Sequence, residues 1–145
     1  MKKLLTLVAL IALCGMVRAN DANQMKYVQV FANQTCTGAT TGTVVDVSAY
    51  KGNAAFAVAN GASTVTNYTA SVVLQHATAT NGTFTAVTNL AGTAVAVAKS
   101  GASAAAVGTV PIDLARLHKY VRVVATQAND TNEVAAVIIA PMKAE

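Results

Sequence analysis

Tryptophan is absent from the 145 residues, and only four Tyr and three Phe supply aromatic rings. A platform that stacks sugar rings needs aromatic faces, so this chain is poorly furnished for that kind of carbohydrate recognition. Charge is scarce as well, with 6 Asp and Glu against 10 Lys and Arg. There are two His, His76 and His118, and two Cys, Cys14 and Cys36. No Gly-x-Ser-x-Gly, HExxH or phosphate-cradling glycine loop occurs, and no CxxC or Cys/His spacing suggests zinc. The expectation is a chain without catalytic residues, cofactor or metal.

Hydrophobic residues are plentiful, and the first run of them has the pattern of an export signal. Lys2 and Lys3 precede an almost wholly apolar Leu4–Met16, and Val17-Arg18-Ala19 offers small residues where a signal peptidase reads. Residues 1–19 are therefore expected to be a signal peptide cut after Ala19. The run is too short for a comfortable membrane span, which needs about 20 apolar residues, so no stable membrane insertion is expected after cleavage. Two alternatives are a lipobox-like use of Ile11-Ala12-Leu13-Cys14, against which Leu13 is too large, and an uncleaved apolar arm packing on a neighbouring subunit.

Residues 20–145 then form a single domain, long enough for a real core. Losing Lys2, Lys3 and Arg18 leaves 7 basic residues against 6 acidic ones, a formal charge of +1 instead of +4. A nearly neutral domain gives no reason to invoke nucleic acid or an anionic membrane. Its solvent face must consist of Thr, Asn, Ser, Gln and Ala, which repels neighbours weakly and suits close lattice contact. Cys36, alone once Cys14 is removed, cannot form an intrachain disulfide.

Period-two alternation predicts strands at Met25–Ala32, Thr43–Ala49, Ala54–Ala59 and Thr66–Ala77, with Ala70, Val72, Leu74 and His76 on one face. In the first of these, Tyr27, Gln29 and Phe31 are expected opposite Val28 and Val30. Asn81-Gly82 suits a type I′ hairpin turn, making Thr83–Thr88 the partner of the long strand. Thr93–Ala98 reads as a short strand, and Val110, Ile112 and Leu114 alternate around Pro111, which confines that segment to a sheet edge or bulge. Tyr120–Gln127 and Glu133–Ala140 read as a second strand pair joined through Ala128–Asn132. Eight or nine short strands without an amphipathic helix imply an all-β antiparallel β-sandwich of jelly-roll type, with an immunoglobulin-like order as the alternative.

Each reactive-looking residue also has an ordinary structural use. Ser48-Ala49-Tyr50-Lys51 matches Ser-x-x-Lys, but that chemistry needs both groups on a helix and its companion motifs are missing. His76 and His118 stand without nearby acidic partners in sequence, as packing or turn residues do. Asp130, Asn132 and Glu133 offer oxygen ligands for calcium in a segment whose composition also suits a hairpin tip. Asn33, Asn67, Asn81 and Asn129 begin Asn-x-Thr sequons, which matter only in a host that glycosylates them. Tyr120 and Arg122 share one strand face opposite Val121 and Val123. They are the candidate interface residues, read either as binding anchors or as a cross-strand stacked pair.

The Ala49-Tyr50-Lys51-Gly52 turn, Leu74-Gln75-His76 with Gly82-Thr83-Phe84-Thr85-Ala86-Val87, and Ile112-Asp113-Leu114 with Lys119-Tyr120-Val121-Arg122 resemble segments of small virion proteins of tailed bacteriophages. The resemblance covers roughly residues 43–140 and points to capsid decoration or cement proteins, β-sandwiches that clamp neighbouring shell subunits. It implies a non-enzymatic structural protein at the virion exterior, with major shell subunits and copies of itself as partners. The export signal departs from that pattern, because phage head proteins assemble in the cytoplasm. The alternative is a secreted or cell-surface β-sandwich that binds or adheres.

Overall fold

The computed structural model describes residues 25–142, and among them ten strands follow from runs rich in β-branched Val, Thr and Ile, whose pattern overrides the helix preference of the interspersed Ala. They are β1 (Met25–Cys36), β2 (Ala39–Thr41), β3 (Val45–Asp46), β4 (Asn53–Asn60), β5 (Thr69–Ala77), β6 (Thr85–Ala86), β7 (Ala96–Ser100), β8 (Ala106–Asp113), β9 (Tyr120–Ala128) and β10 (Asn132–Pro141). Leu114–Arg116 forms one 3-10 turn, capped by Asp113, whose side chain accepts from the Ala115 N–H.

Two antiparallel sheets face each other. The first runs β1-β10-β4-β8, and the second is built on the central pair β9 and β5. β2 and β3 share the outer side of β9, while β6 and β7 share the outer side of β5. The pairing is nested: β1 with β10, β2 and β3 with β9, β4 with β8, β5 with β7. The all-β antiparallel sandwich expected from the strand spacing is the fold.

Alternation decides what each strand buries. Ala70, Val72 and Leu74 of β5 and Val121, Val123 and Ala125 of β9 point inward, against Phe56 and Val58 of β4 and Val134, Ala136 and Ile138 of β10. Pro111 lies in β8 at the edge of its sheet, where its missing N–H breaks no ladder.

The structure corrects the sequence reading where an extra residue or a competing strand intervenes. β1 runs to Cys36, and its ladder with β10 slips between Gln29 and Phe31. That bulge turns Phe31 inward beside Val30, so both are buried instead of lying on opposite faces. Neither Asn81 nor Gly82 has positive φ, so no type I′ turn forms; the Gly82 N–H donates to the Ala79 carbonyl at 3.1 Å. Thr83–Thr88 cannot pair along the length of β5, because β7 occupies Thr69–Val73 and leaves only Gln75 and His76 to β6. Likewise β9 and β10 are consecutive but lie in different sheets, since both sides of β9 are already taken. Asn129, with φ of 68°, turns the chain from one sheet to the other. The second strand keeps only Val45–Asp46, and the long strand begins at Thr69 instead of Thr66.

Candidate interaction surface

Tyr120 and Arg122 sit on the outer face of β9, as alternation requires, and both are half-buried. Register places Gln75 of β5 directly opposite Arg122, and the Arg122 Nε–H donates to Gln75 Oε1 at 2.8 Å. The guanidinium also lies 4.2 Å from the centre of the Phe84 ring. A long flexible side chain is thereby held in one orientation by contacts within the domain. Beside it, the Lys119 ammonium lies 5.1 Å from the centre of the Tyr120 ring and 3.4 Å from Asp46 Oδ2. Asp46 is opposite Tyr120 in the ladder and accepts the Ser48 N–H at 2.8 Å. Hydrogen bonding from Ser48, with a smaller contribution from Lys119, holds the Asp46 carboxyl below its ordinary range. The structure thus unites Tyr120 and Arg122 with Gln75, Phe84, Lys119 and Asp46 in one cluster.

Behind this face, the two histidines far apart in sequence meet. Their ring centres are 4.3 Å apart, and the His118 backbone N–H donates to His76 Nδ1 at 3.2 Å. Nδ1 is therefore the acceptor, and the proton of the neutral His76 ring sits on Nε2. Burial, then charge on His118, lowers the His76 pKa from its ordinary 6.5. The unfolded chain takes up this proton first, so the associated stability is complete above about pH 6.5 and is lost as pH falls through the lower folded value. The depressed pKa values of Asp46 and Asp130 act in the same direction, but only below the ordinary carboxylate value of 3.8. We expect the urea midpoint to fall between pH 7 and pH 5, and His76→Gln to flatten that fall. An unchanged slope in the variant would remove His76 from the explanation.

The remaining reactive-looking residues have structural engagements. Ser48 and Lys51 are exposed in a turn before β4, not on a helix. Asp130 accepts from Ser63 Oγ at 2.6 Å and from the Thr131 N–H at 2.8 Å, tying the β9–β10 turn to the β4–β5 loop. Asn132 is buried, and its N–H donates to Gln127 Oε1 at 2.9 Å. Cys36 ends β1 in the core, where burial pushes its thiol pKa up and disfavours the reactive thiolate.

Two further surface features escaped the sequence reading. The outer face of the first sheet carries the cross-strand rows Tyr27–Ile139–Ala55–Pro111 and Gln29–Val137–Ala57–Thr109, without a charged side chain in either. At the open side of the sandwich lies a cleft of about 480 Å³, lined among others by Val87, Leu90, Val95, Ile112, Asp113 and Arg116. No sequence signal announced either, because both depend on cross-strand register and on loops brought together from separate strands.

A scan against protein-family models and a search of curated proteins find no match to this chain. Among the described residues, no helix is long and apolar enough to cross a membrane. The expected signal, residues 1–19, lies outside the described residues.

Proposed function

We propose that the chain is a non-enzymatic structural subunit that decorates or cements a virion-like shell through repeated contacts, with shell subunits and copies of itself as partners. The observation that carries this reading is the pre-ordered Arg122, held by Gln75 and Phe84 beside Tyr120 on an outer sheet face. Tyr and Arg are the residue types in which interface energy concentrates, and repetition around a symmetric shell multiplies a modest contact into stable attachment. The charge-free rows on the opposite face favour close approach of neighbours. The nested pairing supports a jelly-roll order over an immunoglobulin-like one, since a jelly roll is one long hairpin rolled into two sheets. The phage resemblance adds to this reading, which puts the subunit on the outside of a particle.

The test is attachment to the native particle. Arg122→Ala should lower affinity for the shell at least about 30-fold per site, the mark of an interface hot spot, while changing domain stability by about 1 kcal/mol or less. Equal shell occupancy for variant and wild type would reject this face as the contact. The second reading, a secreted or cell-surface binding protein, is favoured by the signal-like residues 1–19 and by the open cleft. It would be supported by a ligand that occupies the cleft of a free monomer.

A further inference from the structure

We infer that the cleft beside Leu90 is a self-association site, filled by Leu90 of a second copy of this chain. The inference rests on the reading of the protein as a repeating subunit and names one of its contacts. Leu90 is 92 % exposed, the most exposed large hydrophobic residue among the described residues. Exposure alone is ordinary, but this side chain stands on a fixed support. Asn89 Oδ1 accepts the N–H groups of Ala91 at 2.9 Å and Thr93 at 3.0 Å. The Asn89 N–H donates to the Thr93 carbonyl at 2.8 Å, the Gly92 N–H returns to the Asn89 carbonyl at 3.0 Å, and Thr88 bridges to Ala94 below. An apolar knob is thus held out to solvent on a closed loop, with its ordering cost already met in folding.

The receiving surface adjoins the knob. Val87 and Val95 at the base of the same loop, together with Ile112 and Leu117 across the gap, give the cleft apolar walls, and its volume of about 480 Å³ readily takes a leucine side chain. Asp113 and Arg116 also line it, so the patch carries one charge of each sign. Arg116 forms no ion pair with a described residue, and the exposed Asp113 uses Oδ1 to cap the 3-10 turn through the Ala115 N–H at 2.9 Å while its other oxygen faces outward. A knob, a hole and two opposite charges on one patch are self-complementary under a two-fold axis, which makes every contact occur twice. Each Leu90 then enters the other copy's cleft, and each Arg116 faces the other copy's Asp113. This charge complementarity selects a second copy over an apolar small molecule, which would offer Arg116 no counter-charge.

Sedimentation velocity of the natively processed protein over a concentration series tests the inference. Wild type should show a monomer–dimer equilibrium, and Leu90→Asp should raise its dissociation constant about a hundredfold while leaving the circular dichroism unchanged. Arg116→Glu and Asp113→Lys should each weaken self-association about tenfold, whereas the two variants mixed should form a heterodimer close to wild-type affinity, because both cross pairs become attractive again. Three results would overturn it: a wild-type monomer at every concentration, a dimer insensitive to Leu90→Asp, or a small molecule found in the cleft of a monomer by native mass spectrometry. A monomer that still attaches to a particle would reject the self-contact and leave the shell reading standing. A Leu90-dependent dimer with no particle partner would do the reverse.

Discussion

Phe56→Ala should destabilise the domain by about 3–5 kcal/mol, the usual cost of removing a fully buried aromatic side chain and leaving a cavity. Phe56 has no exposed surface and lies in β4, between Ile138 of β10 and Val110 of β8. Its in-register neighbours Ile138 and Val110 are β-branched and stiff at χ1, so they do not collapse into the void. Domains of this size hold about 5–15 kcal/mol in total, so the variant should lose between about a fifth and all of its stability. The melting temperature should fall by about 10–20 °C. Phe84→Ala is the matched control: that ring is half-buried on the outer face and should cost only the cation–π contact and modest packing, about 1 kcal/mol. Equal losses in the two variants would contradict the assignment of inner and outer faces.

Gly42→Val should cost about 3 kcal/mol, and Gly42→Ala about half of that, by overpacking instead of cavity formation. A Cβ at this position would lie 2.8 Å from Phe31 Cδ2 and 2.9 Å from the Val30 carbonyl oxygen. Neither neighbour can move away. The carbonyl belongs to the backbone of β1, and Phe31 is only 1 % exposed. Gly42 itself is tied down, because its N–H donates to the Val123 carbonyl at 2.8 Å. The glycine is therefore required by close approach of two chain segments, and its φ is not positive. Urea unfolding with an unchanged m-value and a lowered midpoint is the expected signature. A midpoint within error of wild type would mean that the link between β2 and β3 does not pack against the β1 bulge.

How far these features could be read in advance depends on whether they are local. The inward faces of β5 and β9 follow from two-residue periodicity alone, and Val72, Leu74, Val121 and Val123 lie where alternation puts them. Pro111 at a sheet edge followed from its missing donor. Phe31 was misplaced because a bulge breaks the period without any mark in the residues themselves. Asn81-Gly82 is a strong local hairpin signal, overridden because β7 already occupies the partner edge of β5. The separation of β9 from β10 has the same cause, competition among strands distant in sequence.

The candidate surface divides in the same way. Tyr120 and Arg122 were visible as a pair on one face, but Gln75 and Phe84, which hold Arg122 in place, are contributed by another part of the chain. His76 and His118 looked isolated because they are 42 residues apart, yet the β5–β9 register stacks their rings. Leu90 gave no signal at all, since a single leucine in a polar loop has no periodicity to betray it.

Whether this chain is the repeating structural subunit proposed above is decided by isolating the native protein and determining its intact mass and its assembly size in one preparation. The chain should co-purify in a large regular particle, with the mass reporting whether residues 1–19 are retained there as an arm or removed as a signal. A free monomer beginning at Asn20, with no particle in the preparation, would contradict it.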